Sequence, residues 1–327
     1  MNAFDLLDAI GGAEDSDLLL AQKTKKKRRW IPWAAAACVL LAVGIATMRG
    51  RPEVITEPIP ETNTLPAPVN SETGVWIPPI ELPKPEEAAM ADMIACVVVD
   101  GNLYTQGEIY YDEDAARVEP LLGEKLGDAT GTIDCFSDES EYEKPFASTL
   151  AGEVYTVQGY DVDFRVAVRN VDSEGRLSVW FLDHLNGIWL STGADLFETR
   201  LHLRDRISSI QWQAHSDWDW NRGGIQDAEL SEESWSAFLD AVDTGEFVNA
   251  WQPDEPFYEG RPNSSIYDTP NQTHLFLMMA DGSRVELRLI EGGYVGYAPL
   301  GWYFVRIPGE AFDAIYNACG GTHLTDW

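Results

Sequence analysis

His274-Leu275-Phe276-Leu277-Met278-Met279-Ala280, Asp281-Gly282-Ser283 and Arg284-Val285-Glu286-Leu287-Arg288-Leu289-Ile290 follow one another without a break. Two apolar-rich runs joined by a short turn containing Asp-Gly predict an antiparallel hairpin. In the second run Val285, Leu287 and Leu289 alternate with Glu286 and Arg288, the period-two pattern of a strand. Outward from this hairpin, Tyr294–Tyr297 and Trp302–Ile307 predict further strands. Gly292-Gly293 before them follows a strand without opening a helix, so it reads as a tight turn rather than a phosphate loop. Upstream, Ile207–Trp212 predicts a strand, and Ser231 has the chemistry of a helix N-cap, with Glu232 and Glu233 placed where the helix dipole favours anions.

Trp235, Phe238, Leu239 and Val242 lie at offsets that put them on one side of that helix, and Phe312, Ile315, Tyr316 and Cys319 repeat the spacing in a final helix. Two one-sided helices need a sheet face to cover their stripes. The expected class is therefore α+β, antiparallel sheet with a few packed helices. The preceding stretch reads as a second β-rich half: Ile94–Val99, an Asp100-Gly101-Asn102 turn, Leu103–Thr105, a helix over Asp114–Leu126, and strands at Glu153–Tyr160, Phe164–Arg169 and Ser178–Leu182.

Nearer the start, the chain changes character. Trp30 to Met48 is a 19-residue run without a charge, which as a helix rises about 28 Å and spans a bilayer core of ~30 Å once. Lys23, Lys25, Lys26, Lys27, Arg28 and Arg29 precede the run, whereas Arg49 and Arg51 alone follow closely, so the positive-inside bias leaves residues 1–29 in the cytoplasm. A cleaved signal peptide fits less well, because the head before the apolar run is long and carries five acids. Between Pro52 and Pro85 lie nine of the 18 prolines, the composition of an extended stalk. The expected organisation is a cytoplasmic head (1–29), a transmembrane helix (30–48), a Pro-rich linker (49–91), a β-rich extracytoplasmic domain (92–203) and an α+β extracytoplasmic domain (204–327).

Charge narrows the partners. The 327 residues include 23 Lys and Arg against 54 Asp and Glu, a formal net charge of −31, so nucleic acid is not an expected partner. With 45% hydrophobic residues the chain has enough apolar surface for folded cores, which excludes disorder for most of its length. Four cysteines without a CxxC argue against a disulfide scaffold or a thiolate zinc site.

The order of helix, DG hairpin, glycine-rich turn, strand and final helix between Ile207 and Cys319 is similar to small extracytoplasmic domains of uncharacterised membrane proteins and lipoproteins of Gram-positive bacteria. The head, with Phe4-Asp5-Leu6-Leu7-Asp8-Ala9-Ile10, its Lys/Arg cluster and the Ala-rich run, resembles the heads of single-pass clostridial proteins. Some proteins of that layout regulate extracytoplasmic-function sigma factors, so the resemblance implies a sigma factor as a possible cytoplasmic partner. Residues 1–29 lack the His and Cys that the zinc-type anti-sigma domain uses, and neither resemblance supplies catalytic residues.

Motifs for chemistry are sparse. HExxH, GxSxG and GxxxxGK are absent, and His184, His202, His215, His274 and His323 are isolated in sequence. No catalytic residue, cofactor or enzymatic activity is expected. One loop has the residue types of a calcium site: Asp217, Asp219, Asn221, Gly223, Ile225 and Glu229 follow the order of an EF-hand-like loop if Arg222 is skipped. The expected function is a single-pass membrane-anchored extracytoplasmic binding or sensory protein with an unknown outer ligand. The alternatives are a transmembrane regulator acting through the head, and a cell-wall or carbohydrate-active protein using dispersed acids between its tryptophans.

Overall fold

The computed structural model describes residues 73–82, 94–250 and 271–321. The head and the Trp30–Met48 run lie outside them. Among the described residues no helix is long and apolar enough to cross a membrane.

The chain enters through a short strand, β1 (Val75–Ile77), and then builds a six-stranded sheet. Its strands are β2 (Cys96–Val99), β3 (Asn102–Tyr111), β4 (Leu122–Thr130), β5 (Ala151–Val157), β6 (Arg165–Val171) and β7 (Leu177–Asp183), in the order β2-β3-β7-β6-β5-β4 and antiparallel throughout. Asp100 and Gly101 both take positive φ, as a two-residue turn with Val99 opposite Asn102 requires. Helix α1 (Asp112–Val118) follows β3, and one turn of helix, α2 (Glu139–Tyr142), lies between β4 and β5.

The long strand β3 changes faces partway. Between the pairs Gln106–Leu182 and Ile109–Trp180, two residues of β3, Gly107 and Glu108, oppose the single Phe181 of β7, a bulge. An extra residue reverses the alternation that follows it. Tyr104 therefore packs with Val97, Val154 and Leu182 on one side of the sheet, whereas Tyr110 packs with Ala115, Val118 and Phe181 on the other.

The helix expected over Asp114–Leu126 is corrected to α1 followed by the edge strand β4. Pro120 has no N–H for the carbonyl one turn back, so the α-helix stops at Val118 and a short 3-10 turn carries the chain to Leu122. Gly123 and Gly127 in the remainder weaken any continuing helix.

After β7 the chain returns to β1. Strand β8 (Ile188–Leu190) pairs with it, Val75 opposite Leu190 and Ile77 opposite Ile188. Next come α3 (Ala194–Phe197), β9 (Ile207–Ala214), α4 (His215–Asp219), β10 (Gln226–Asp227), α5 (Glu232–Thr244), β11 (Glu246–Asn249), β12 (Gln272–Met279), β13 (Arg284–Ile290), β14 (Tyr294–Tyr297), β15 (Tyr303–Arg306) and α6 (Glu310–Ala318). The seven-stranded sheet runs β10-β9-β12-β13-β14-β15-β11. The hairpin read from the sequence is β12–β13, with Leu275 opposite Leu287.

Helices α3, α5 and α6 cover one face of this sheet. The Ser231 side chain accepts the Ser234 N–H, capping α5 as its sequence predicted, and Phe238, Leu239 and Val242 are buried. Phe312, Ile315, Tyr316 and Cys319 meet them, with Leu275, Leu277, Leu287 and Leu289 beneath. Each such large side chain contributes about 1.5–3 kcal/mol by leaving water. The same core takes in Ile77 from β1 and Leu185, Leu190 and Leu203 from the chain after β7. The six-stranded sheet is thus bracketed in sequence by β1 and β8, which lie side by side.

Polar contacts then lock the two sheets together. Arg284 donates to Glu108 at 2.8 Å, and its backbone N–H to the Tyr110 hydroxyl. The bulge in β3 is what aims Glu108 and Tyr110 at this junction.

Candidate functional site

The face of the seven-stranded sheet away from its helices carries the most concentrated chemistry. Along β12 and β13 the leucines point into the helix-covered core, so alternation sends His274, Glu286 and Arg288 to the opposite face. His274 lies opposite Arg288 across one ladder and opposite Gln213 across the other. Glu286 is its diagonal neighbour, within reach of a long side chain. Immediately after β9 the chain turns into α4, which carries His215 and Trp218 over β12.

These residues form a chain of hydrogen bonds. His274 Nδ1 is 2.9 Å from Glu286 Oε1, and His274 Nε2 is 3.0 Å from His215 Nδ1. Both His274 and Glu286 are buried, while His215 is half-buried. The Trp218 indole covers His274, with ring centroids 4.2 Å apart and planes 10° apart. The Arg288 guanidinium sits 5.3 Å from the Trp218 ring.

Electrostatics set the protonation. Burial, with the Arg288 charge adding to it, drives the His274 pKa well below the ordinary histidine value. Burial first, then His274 and Arg288, lowers His215 to about 3, against a smaller opposing effect of Asp219. Both imidazoles are neutral at physiological pH. Burial also raises Glu286, although Arg284, Arg288 and Trp218 oppose it.

One arrangement of protons follows from the carboxylate end. With Glu286 ionised, its carboxylate accepts the His274 Nδ1–H, which leaves His274 Nε2 as an acceptor for the His215 Nδ1–H. His215 Nε2 then holds a lone pair. Among the described residues it makes no hydrogen bond, and it is not among the buried orphan atoms, so it is open to solvent. The array is a buried carboxylate–imidazole–imidazole relay ending in a neutral, outward-facing nitrogen.

No family model, curated protein or solved structure matches this chain. The chemistry of the site therefore rests on its own geometry.

Two of the residues expected to hold calcium, Asp217 and Asp219, lie on α4, the helix that carries His215. Asn221 follows it with φ +47°, and Glu229 comes after the two-residue strand β10. The first positions of that loop are thus helical, and the chain reverses at Gly223 and Gly224, both with positive φ. Among the described residues, no group of three or more His, Cys, Asp or Glu side chains is arranged to hold a metal ion.

Sequence reading treated His215 and His274 as isolated, because they are 59 positions apart. The available signal was the pair of polar residues, His274 and Glu286, inside otherwise apolar strands. A buried polar side chain needs a partner, and only the register of β9 against β12 reveals His215 as that partner.

Proposed function

We propose that this is a single-pass membrane-anchored extracytoplasmic binding or sensory protein. The observation that carries the reading is the uncharged Trp30–Met48 run, with six cations before it and two close behind. The way the stalk meets the folded body supports it. Within the expected linker, residues 75–77 add β1 to β8, Ile77 enters the second core, and the Gly74 N–H donates to Glu246 at 3.2 Å. A tether fastened into the larger core is suited to presenting that folded body away from a bilayer.

Protease added to intact protoplasts tests the topology. The expected result is loss of the region from Pro52 onward and a retained membrane fragment of about 50 residues, the length that ends just past the run. Full protection of the large region, or its release as a free mature protein, would contradict the reading.

A further inference from the structure

We propose that residues 73–82 form a strap that tension releases, peeling from the folded body before either sheet opens. The proposal deepens the tethered reading above and rests on it, because it needs a pull to arrive through the stalk. Chain order places β1 ahead of every other described strand, so such a pull loads the strap first.

The strap is pinned to two different cores. Ile77 is buried in the core of the seven-stranded sheet, while Leu82 packs against the cluster of Cys96, Val98, Ile133, Tyr142 and Ala147 beside the six-stranded one. Between these pins Pro78 and Pro79 have no N–H to extend the ladder, and Ile80 is exposed. At the loaded end the hold is polar: the Gly74 N–H donates to Glu246 at 3.2 Å, and the Thr73 and Ser191 hydroxyls lie 3.4 Å apart.

This hold is weaker than those within the sheets. Among the described residues β1 pairs with β8 alone, over three residues, and a ribbon that short is marginal by itself. By contrast, β12 and β13 pair from Gln272–Ile290 to Met278–Arg284 over a leucine-rich core. Local opening starts at such lightly held segments. Release empties the slot that Ile77 fills and withdraws Leu82 from the other core, so a pull alters both halves without unfolding either. The contacts of Arg284 with Glu108 and of Tyr297 with Asp183 use no strap residue and stay closed.

The test holds the full chain in detergent by tags at its two ends in optical tweezers, so the result does not depend on which side of a membrane the body occupies. Val75, Ile77, Ile188 and Leu190 face the core, which leaves Trp76 and Trp189 directly opposite each other on the outer face of the ribbon. Trp76→Cys with Trp189→Cys therefore places two thiols at disulfide spacing, in a chain also carrying Cys38→Ser and Cys135→Ser. With the new pair reduced, a reversible extension of some tens of ångströms, about 35 Å for ten freed residues, should precede unfolding of the sheets. Oxidation should remove that step and leave the later ones in place. Identical traces from the oxidised and reduced forms, or strap release only together with the sheets, would overturn the proposal. Native-state hydrogen exchange of the unsubstituted chain decides it even if the variant fails to fold. Val75–Ile77 should exchange through an opening that leaves β12 and β13 protected, and equal protection of all three strands would overturn it.

Discussion

Tyr297 on β14 donates its hydroxyl to Asp183 on β7 at 2.5 Å, joining the two sheets through a carboxylate that also takes two hydrogen bonds from Arg165. All three side chains are buried. Burial works against the Arg165 charge, but Asp183 beside it overrides this and holds the guanidinium pKa well above its ordinary value. The Tyr160 ring lies under the same guanidinium, 4.4 Å from its carbon. The ion pair lies within the six-stranded sheet and is fully enclosed, and the Tyr297 hydroxyl, which donates to Asp183 and accepts from Arg165, carries the contact to the other sheet.

Removing parts of this cluster should have graded effects. Tyr297→Phe leaves a buried carboxylate short of one donor and is expected to cost about 1–3 kcal/mol. Asp183→Ala strands the Arg165 charge and is expected to cost about 3–5 kcal/mol. Urea unfolding of the full chain in detergent checks both, read as a lower midpoint at unchanged slope. A midpoint unmoved in Asp183→Ala would mean that the buried cluster does not stabilise the fold.

Much of the fold was legible because local rules and tertiary packing agreed. The β12–β13 hairpin, the Ser231 cap and both helical stripes were readable because turn residues and apolar spacing are written within a few positions of each other. Strand β4 was not, since Leu121, Leu122 and Leu126 imitate a helical period that Pro120 and two glycines defeat. The pairing of β1 with β8 was hidden in a stretch whose prolines mark it as linker. The His215–His274–Glu286 relay was hidden for a different reason: it depends on the register between strands that are far apart in sequence.

The relay also makes stability depend on pH. His215 and His274 have folded pKa values below the unfolded value of about 6.5, so the stability they contribute is complete above that pH. It is lost as pH falls toward about 3, the value His215 takes when folded. In that window the unfolded chain binds protons that the folded chain refuses. Glu286, raised by burial, acts with the opposite sign. His215→Gln should therefore flatten the fall in unfolding free energy between about pH 6 and pH 4, by at most ~1.4 kcal/mol per pH unit. Denaturation midpoints of the two proteins across this range check it, and parallel curves would contradict it.

The fastening of the stalk is expected to fail at one glycine. Gly74 has φ +104°, and a Cβ there would lie 2.5 Å from the Leu190 carbonyl oxygen, so Gly74→Ala combines backbone strain with a backbone clash. The substitution should detach β1 while leaving the two sheets folded. Hydrogen exchange measured by mass spectrometry would then show faster exchange at Val75–Ile77 and Ile188–Leu190, and little change in β12 and β13. Unchanged protection of β1 would mean that the strand is held by more than its pairing with β8.

Topology is the central claim, and a cysteine already in the chain tests it most directly. Cys96 and Cys319 are buried, whereas Cys135 is partly exposed and belongs to the region expected outside the cell. Intact protoplasts treated with a membrane-impermeant maleimide should label the membrane-bound protein at Cys135 without lysis, and Cys135→Ser should abolish that label. Labelling of Cys135 that appears only after the membrane is broken would contradict the account.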